Sequence, residues 1–241
     1  MTLTVVLTMA LRRAGLSTST TGTHWSIARD YFNLGMQDMA SRTQWRWLRK
    51  KSAALTLTVS QAKDSLASDV LYPLDFYDST NNSPIDILSP SRVHDFDPDG
   101  DETGQVRFVS LTGIESSSTG YWEATWTPKP DATDSVYYTY QSSPADKTSS
   151  NDGTDLATTM PVWAQHCMVY FVAGQYKGEK GDLEGEQQDM REYEKRLQVA
   201  IANNTNIDMT KKERMGKRRH RSREGSGRDV PFRFTITPGS L

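Results

Sequence analysis

Cysteine is almost absent from this chain, since Cys167 is the only one among 241 residues. A single thiol forms no intrachain disulfide, which suits a protein of a reducing cytoplasm whose fold depends on packing and hydrogen bonds. His166 precedes Cys167, but adjacent helical residues point about 100° apart and do not readily share one site. No CxxC, HxxxH or GxSxG pattern accompanies them. We therefore expect Cys167 to be a core residue, and we predict no catalytic residue, no metal and no cofactor.

Apolar sequence is also scarce. Hydrophobic residues make up 36% of the chain, and no apolar run approaches the roughly 20 residues that cross a membrane, so we expect no membrane partner. The amino-terminal stretch MTLTVVLTMALRRAGL has no basic residue before its apolar run and no small-residue cleavage site, which predicts a helix rather than a signal peptide. The length allows a real core, but the low apolar share indicates that part of the chain is arm, loop or ordered by partners.

Charges of opposite sign are separated along the sequence. Residues 206–241 hold ten Lys or Arg against four Asp or Glu, a balance of +6, so with a net charge of −2 the preceding residues sum to −8. The body is therefore acidic and the carboxy-terminal arm basic. The basic residues that we assign to the arm are Lys211, Lys212, Arg214, Lys217, Arg218, Arg219, Arg221 and Arg223.

The arm ends in a segment that alternates as a strand does. In VPFRFTIT, Phe232, Phe234 and Ile236 alternate with Arg233 and Thr235. An isolated strand at a chain end has no partner for its backbone groups. We expect this segment to add to the edge of a sheet in another chain.

Helical periodicity dominates both flanks of the body. Thr23 to Leu48 is the strongest amphipathic stretch, with a heavy apolar load at its end. A shorter helix precedes it near the amino terminus, and two more are predicted after residue 159, the second over Leu183 to Ile201. The residues predicted to form the helical core are Ile27, Tyr31, Leu34, Trp45, Trp47, Trp163 and Tyr170.

The middle third has the period of strands. Ala54 to Val59 alternates, and three further strands are predicted at residues 105–111, 121–126 and 135–141. Val70 to Tyr77 also has strand character, but Pro73 favours an edge strand or a rigid corner.

These elements predict an α+β fold. We expect a helical bundle of amino- and carboxy-terminal helices, an inserted small antiparallel β-sheet module and an extended carboxy-terminal arm. The predicted divisions are residues 1–50 for the first bundle helices, 51–158 for the β module, 159–203 for the last bundle helices and 204–241 for the arm.

An acidic turn interrupts the middle third. Asp95, Asp97, Asp99 and Asp101 alternate around Gly100, as in the first half of a calcium-binding loop. The twelfth position of such a loop requires a bidentate Glu, and here it is Val106. A solvated acidic hairpin tip is therefore the favoured interpretation, with calcium binding as the alternative.

Carboxylates between Asp182 and Glu194 raise the alternative of a glycoside hydrolase, which needs one carboxyl in a water-poor pocket. They are interspersed with Lys180, Arg191 and Lys195 on a polar helix, which favours an exposed ion-pair face. Tryptophans at 45, 47, 122 and 126 are assigned to core and subunit packing rather than to a sugar or base platform.

The order of these elements resembles the head-to-tail adaptor proteins of tailed bacteriophages, related to podovirus tail tubular protein A and to head-completion connectors. The resemblance covers roughly residues 1–203 and rests on the order of several motifs. These are the helix of residues 29–48 ending in WRWL, the strand ALTLTV, the corner YPLDF at Tyr72–Phe76, the segment WTPKPD, the strand of residues 136–140 and the helix start at Met160-Pro161. In the corner, Pro73 stands ahead of Leu74, which departs from the family order.

The resemblance implies a structural virion protein without catalysis. It implies a homo-oligomeric ring, commonly of twelve subunits, in the neck of the virion after assembly in the host cytoplasm. The implied partners are the portal protein, a tail nozzle or tail-tube component, and the genomic DNA that passes through the lumen. In such adaptors the carboxy-terminal extension reaches into the portal, so we expect the basic arm to dock there and the acidic loop to serve as a phosphate-repelling rim.

Two other functions remain open from sequence. Clustered Lys and Arg also occur in basic-armed nucleic-acid-binding proteins, although this run lacks interleaved aromatic residues. A peptidoglycan hydrolase is the other alternative.

Overall fold

The computed structural model describes residues 1–20, 22–113 and 122–221, with side chains to Asn204. The chain divides into a large compact unit, Met1–Ala200, and a smaller one, Ile201–Leu241. The architecture below is that of the first unit. Within the described residues, no helix is long and apolar enough to cross a membrane.

Helices flank a central run of strands, so the α+β class predicted from sequence is confirmed. The helices are α1 (Leu3–Arg13), α2 (Thr23–Arg42), α3 (Pro90–Val93), α4 (Val162–Glu179) and α5 (Leu183–Arg221), with 3-10 turns at Arg46–Leu48, Ser149–Asn151 and Leu156–Thr158. The strands are β1 (Arg49–Lys51), β2 (Leu55–Thr56), β3 (Lys63–Ser65), β4 (Val70–Asp78), β5 (Ser83–Leu88), β6 (Thr103–Gly104), β7 (Phe108–Gly113), β8 (Trp122–Thr127), β9 (Lys129–Pro130) and β10 (Ser135–Ser142).

Helix α1 is fixed at both ends. The hydroxyl of Thr2 accepts from the amide of Val5 at the start, and Gly15 takes a left-handed φ of 67° after the end. Its basic residues Arg12 and Arg13 lie in the last turn, where the helix dipole favours positive charge. The helix predicted from the amino-terminal sequence is therefore present.

Helix α4 is the centre of the helical layer, because both α1 and α2 pack against it and ten of its residues are buried. α2 approaches it closely at Gly35, where an added Cβ would lie 2.6 Å from the ring of Phe171. The first part of α5 packs on the same helix, with Met190 against Gly174 and the ring of Tyr193 5.1 Å from that of Phe171.

The buried face of α2 differs from the predicted one. Leu34 is 51% exposed, so its assignment to the core is wrong. The buried stripe of α2 includes Trp25, Phe32 and Met36, which stand at i, i+7 and i+11 and so lie on one face of the helix, toward the rest of the helical layer. Among the other predicted core residues Trp45 is fully buried, whereas Ile27, Tyr31, Trp47, Trp163 and Tyr170 are half-buried.

The helix predicted over Thr23 to Leu48 ends at Arg42. The apolar segment after Arg42 packs into the fold. The ring of Trp45 lies 5.1 Å from that of Trp163, and the indole N–H of Trp45 donates to the carbonyl of Met39 at 2.6 Å. The chain thus passes from α2 into the sheet through a buried tryptophan.

The sheet has eight strands in the order β1-β10-β4-β5-β7-β8-β3, with β2 also paired to β10, and a separate two-stranded pair joins β6 and β9. It is larger than the small antiparallel sheet predicted, and β5 pairs with β7 in parallel. The β2 strand is shorter than the predicted Ala54–Val59. The core of the β module is aromatic and aliphatic, and its members include Leu57, Phe76, Val109, Trp126 and Tyr138.

Strand β4 lies inside the sheet, between β10 and β5, so the prediction of an edge strand from Pro73 is wrong. The register explains how the proline is tolerated. β5 pairs only with Phe76, Tyr77 and Asp78, and Pro73 faces Tyr140 at a register shift of the β10 ladder. At Pro73 itself β4 therefore has a paired neighbour on one side only, where a missing N–H costs little.

Candidate interaction surfaces

A buried amide joins the helical layer to the sheet. Gln141 of β10 is fully buried, accepts from the amide of Trp45 at 2.7 Å, and donates to the carbonyls of Ala40 and Thr43 at 2.8 and 3.2 Å. These bonds satisfy backbone groups that the end of α2 leaves unpaired. The helical layer and the sheet are therefore connected by a specific polar joint.

Two ion-pair centres, one half-buried and one fully buried, fix the helices. Asp152 accepts from Trp25 at 2.8 Å and from both Arg29 nitrogens at 3.1 and 2.8 Å. Asp189 of α5 is fully buried and pairs with Arg13 of α1 at 2.7 Å and with Lys177 of α4 at 2.9 Å. The second centre ties three helices together.

The one buried carboxylate among those that suggested a hydrolase is therefore engaged structurally. Asp189 is the buried member of that set, and two cations neutralise it. Burial raises the pKa of the Cys167 thiol to about 11, which keeps it protonated and a poor nucleophile. Among the described residues, no group of three or more His, Cys, Asp or Glu is placed to hold a metal ion.

The predicted acidic loop is partly folded into the β module. Asp97 is buried, and its Oδ1 accepts from the amide of Asp101 at 3.1 Å, whereas the Asp101 carboxylate is exposed and lies 3.5 Å from Lys129. Val106, at the position where calcium binding would need a Glu, is a core residue. No three of the loop carboxylates, Asp95, Asp97, Asp99 and Asp101, are placed around a common metal position. Beside this loop Phe96 is half-exposed and stacks on Phe108.

A cleft of about 590 Å³ lies between α2, the Trp47 segment and residues 142–147 that follow β10. An ion pair of Lys50 with Asp69, 2.8 Å apart, lines one side. The indole N–H of Trp47 is a buried atom with no acceptor in the described part of the chain.

A second cleft, of about 260 Å³, separates α1 from α4. Met9, Arg12, Arg13, His166, Val169 and Tyr170 line it. The Tyr170 ring is sandwiched by two guanidinium groups, with the Cζ atoms of Arg13 and Arg196 4.6 and 4.7 Å from its centroid. The cleft is therefore apolar at its base and positive at its rim.

Large apolar side chains are exposed at several places on the described surface. The most exposed in the helices are Val5, Met9, Leu34, Val162, Leu183 and Val199, and in the β module Val59, Tyr77, Ile87 and Phe96. A soluble monomer exposes scattered apolar residues, but adjacent ones on two packed helices indicate contact with another protein.

The predicted portal-docking arm lies largely outside the described side chains. α5 continues to Arg221, so the first part of the segment assigned to the arm is helical. The helix includes Lys211, Lys212, Arg214, Lys217, Arg218, Arg219 and Arg221, whereas Arg223, Phe232, Phe234 and Ile236 lie outside the described residues.

Comparison with known families decides the identity of the chain. The family model of the SU10 adaptor protein matches residues 1–222. The chain belongs to the SU10 adaptor protein family. This is a family of phage head-to-tail adaptors, so the resemblance drawn from the order of sequence motifs is confirmed, and the protein is a structural component of the virion neck. A search of curated proteins finds no match.

Proposed function

We propose that this SU10 adaptor forms a closed ring that docks beneath the portal and links it to the tail nozzle or tail tube around the DNA channel. Membership of the family over residues 1–222 is the observation that carries this proposal. The ring has twelve subunits, as the adaptor resemblance implies, and its subunits contact each other head to tail, because such contacts close into rings.

The proposal assigns a role to each part of the chain. Residues 1–50 and 159–203 are a helical bundle that packs against sister subunits, and residues 51–158 are a β module that meets the tail component. The acidic balance of the body, −8 before residue 206, is suited to a wall around DNA, because a strongly basic channel would retain phosphates through counterion release. The acidic loop at Asp95–Asp101 forms part of the rim.

The basic arm is the portal-docking element. Its balance of +6 and the apolar alternation of residues 232–236 fit an acidic groove with an open sheet edge on the portal. Electrostatic attraction brings the arm to the groove, and strand addition then holds it.

Truncation separates the arm from the body. A chain lacking residues 206–241 is expected to retain its cooperative melting transition, because its core lies in Met1–Ala200, but to lose binding to purified portal rings. A matched variant lacking only residues 229–241 keeps the basic run and distinguishes charge from strand addition. Unchanged portal binding by the longer deletion would contradict the assignment.

The basic run also supports a second candidate, direct binding of DNA. Eight Lys and Arg between residues 211 and 223 would release counterions from phosphate. Duplex affinity that falls steeply with salt and disappears in the longer deletion would favour this candidate. Portal binding at a salt concentration that abolishes DNA binding would favour docking.

A further inference from the structure

We propose that the cleft between α1 and α4 is the socket of the contact between copies of this chain, and that it receives the Leu183 corner, the turn between α4 and α5, of a neighbouring copy. This inference rests on the proposed ring and names the two surfaces that build it.

The socket is lined by residues of two packed helices, Met9, Arg12 and Arg13 of α1 and His166, Val169 and Tyr170 of α4, and exposed side chains extend both stripes beyond it. Val5, Met9 and Arg12 follow at i, i+4 and i+7 on α1, and Val162, His166 and Val169 repeat the same spacing on α4. Val5, Met9 and Val162 are 42%, 39% and 55% exposed, although they are apolar. Exposed apolar side chains on two packed helices favour a contact with another protein surface at this place.

The rim of the socket is positive. Arg12 is exposed, and within the described part of the chain its guanidinium group forms no hydrogen bond or ion pair. His166 adds a second hydrogen-bond donor to the cleft. The Arg13 guanidinium stacks on the Tyr170 ring and pairs with Asp189. An occupant that carries an apolar side chain flanked by carboxylates would match both the base and the rim.

The corner between α4 and α5 has this chemistry. Leu183 is 62% exposed, the largest exposed fraction among the large apolar residues described. Asp182 and Glu184 flank it, and both are exposed. The Oδ1 of Asp182 caps the amide of Gly185, which fixes the turn, so Glu184 is the carboxylate left to meet a partner. Residues 179–186 hold four acids against Lys180 alone.

Size and position support contact between copies. The cleft, at about 260 Å³, has room for the four carbons of a leucine side chain. His166 and Glu179 are separated by thirteen positions on α4, about 20 Å along a rigid helix, so a chain cannot seat its own corner in its own socket. Two different surfaces on one subunit give a heterologous contact, the kind that closes into rings.

Charge reversal with rescue tests the pairing. We expect Arg12→Glu and Glu184→Arg each to raise the concentration for half-assembly of rings by about tenfold, measured by sedimentation, and the double variant to restore it. Arg46→Glu is the matched control, because Arg46 is an exposed arginine without a partner in the described residues. Each variant should stay folded with a slightly lowered melting temperature, because both side chains are exposed but each charge is favoured by the dipole of its own helix.

Cysteine pairs give an independent readout. A chain with Met9→Cys and Leu183→Cys is expected to form an oxidised ladder that ends at the ring size, whereas either change alone should give no ladder. If the Arg12→Glu and Glu184→Arg variants form rings at the same concentration as the wild type, the socket is wrong and the ring proposal still stands. The same holds if the double variant does not recover wild-type assembly. A wild-type chain that remains monomeric would overturn both.

Discussion

At the scale of single residues, buried polar side chains hold the helical layer to the sheet. Gln141 bonds three backbone groups around the end of α2, and Ser142 donates to the carbonyl of Leu48 at 3.1 Å. Buried groups of this kind cost little when paired and much when one partner is removed. They make the position of the β module on the helices specific.

Gln141→Leu should destabilise the body strongly. The change keeps the size of the side chain but removes three hydrogen bonds, and an unsatisfied buried group costs about 1–3 kcal/mol, so we expect a loss of about 2–4 kcal/mol in the free energy of unfolding. Urea denaturation measures it. The control is Gln188→Leu on an exposed position of α5, for which a change within about 0.5 kcal/mol is expected. Equal losses in the two variants would show that the joint has no special role.

At the scale of elements, the close approach of α2 and α4 depends on a missing side chain. An added Cβ at Gly35 would lie 2.6 Å from Phe171 and 3.1 Å from the sulfur of Met168. Both neighbours are buried, so neither side chain has free space into which it can move.

Gly35→Ala should therefore destabilise the chain although alanine favours helix. The propensity gain of about 1 kcal/mol opposes a packing cost of about 1–3 kcal/mol, so we expect a net loss of up to about 2 kcal/mol. Gly153→Ala is the control, because a Cβ there meets nothing within 4 Å. Thermal melting of the two variants decides the matter, and a Gly35→Ala protein more stable than wild type would contradict this packing.

Sequence periodicity predicted where the helices and strands lie better than it predicted which helix face is buried or which strands pair. The helices near both ends and the strands β7, β8 and β10 are present where the pattern placed them. The pattern on α2 failed at Leu34, because two stripes of the helix are apolar and only tertiary packing decides which one is buried. The interior position of β4 could not be predicted, since the register that spares Pro73 comes from long-range pairing.

The interaction surfaces could not be predicted from the sequence as well as the helices and strands could. The residues of the socket are scattered between positions 9 and 170, so no local pattern joins them. The polar joint at Gln141 connects residues about one hundred positions apart. The sequence shows only that Gln141 follows the tyrosine-rich segment of residues 136–140, and this does not reveal its partners. The adaptor family, in contrast, was recognisable from the order of motifs.

At the scale of the whole molecule, the proposed ring accounts for both the exposed apolar side chains of the helices and the division of charge between an acidic body and a basic arm. In that proposal the helices supply the contacts between copies, and the arm supplies the contact with the portal. Both surfaces would be buried in the virion neck rather than in the isolated chain.

Electron microscopy of the purified full-length chain, alone and mixed with purified portal rings, tests this account most directly. We expect closed rings of about twelve subunits that stack coaxially on the portal and leave an open central channel. Particles that remain single subunits, with portal rings left bare at saturating protein concentration, would contradict it.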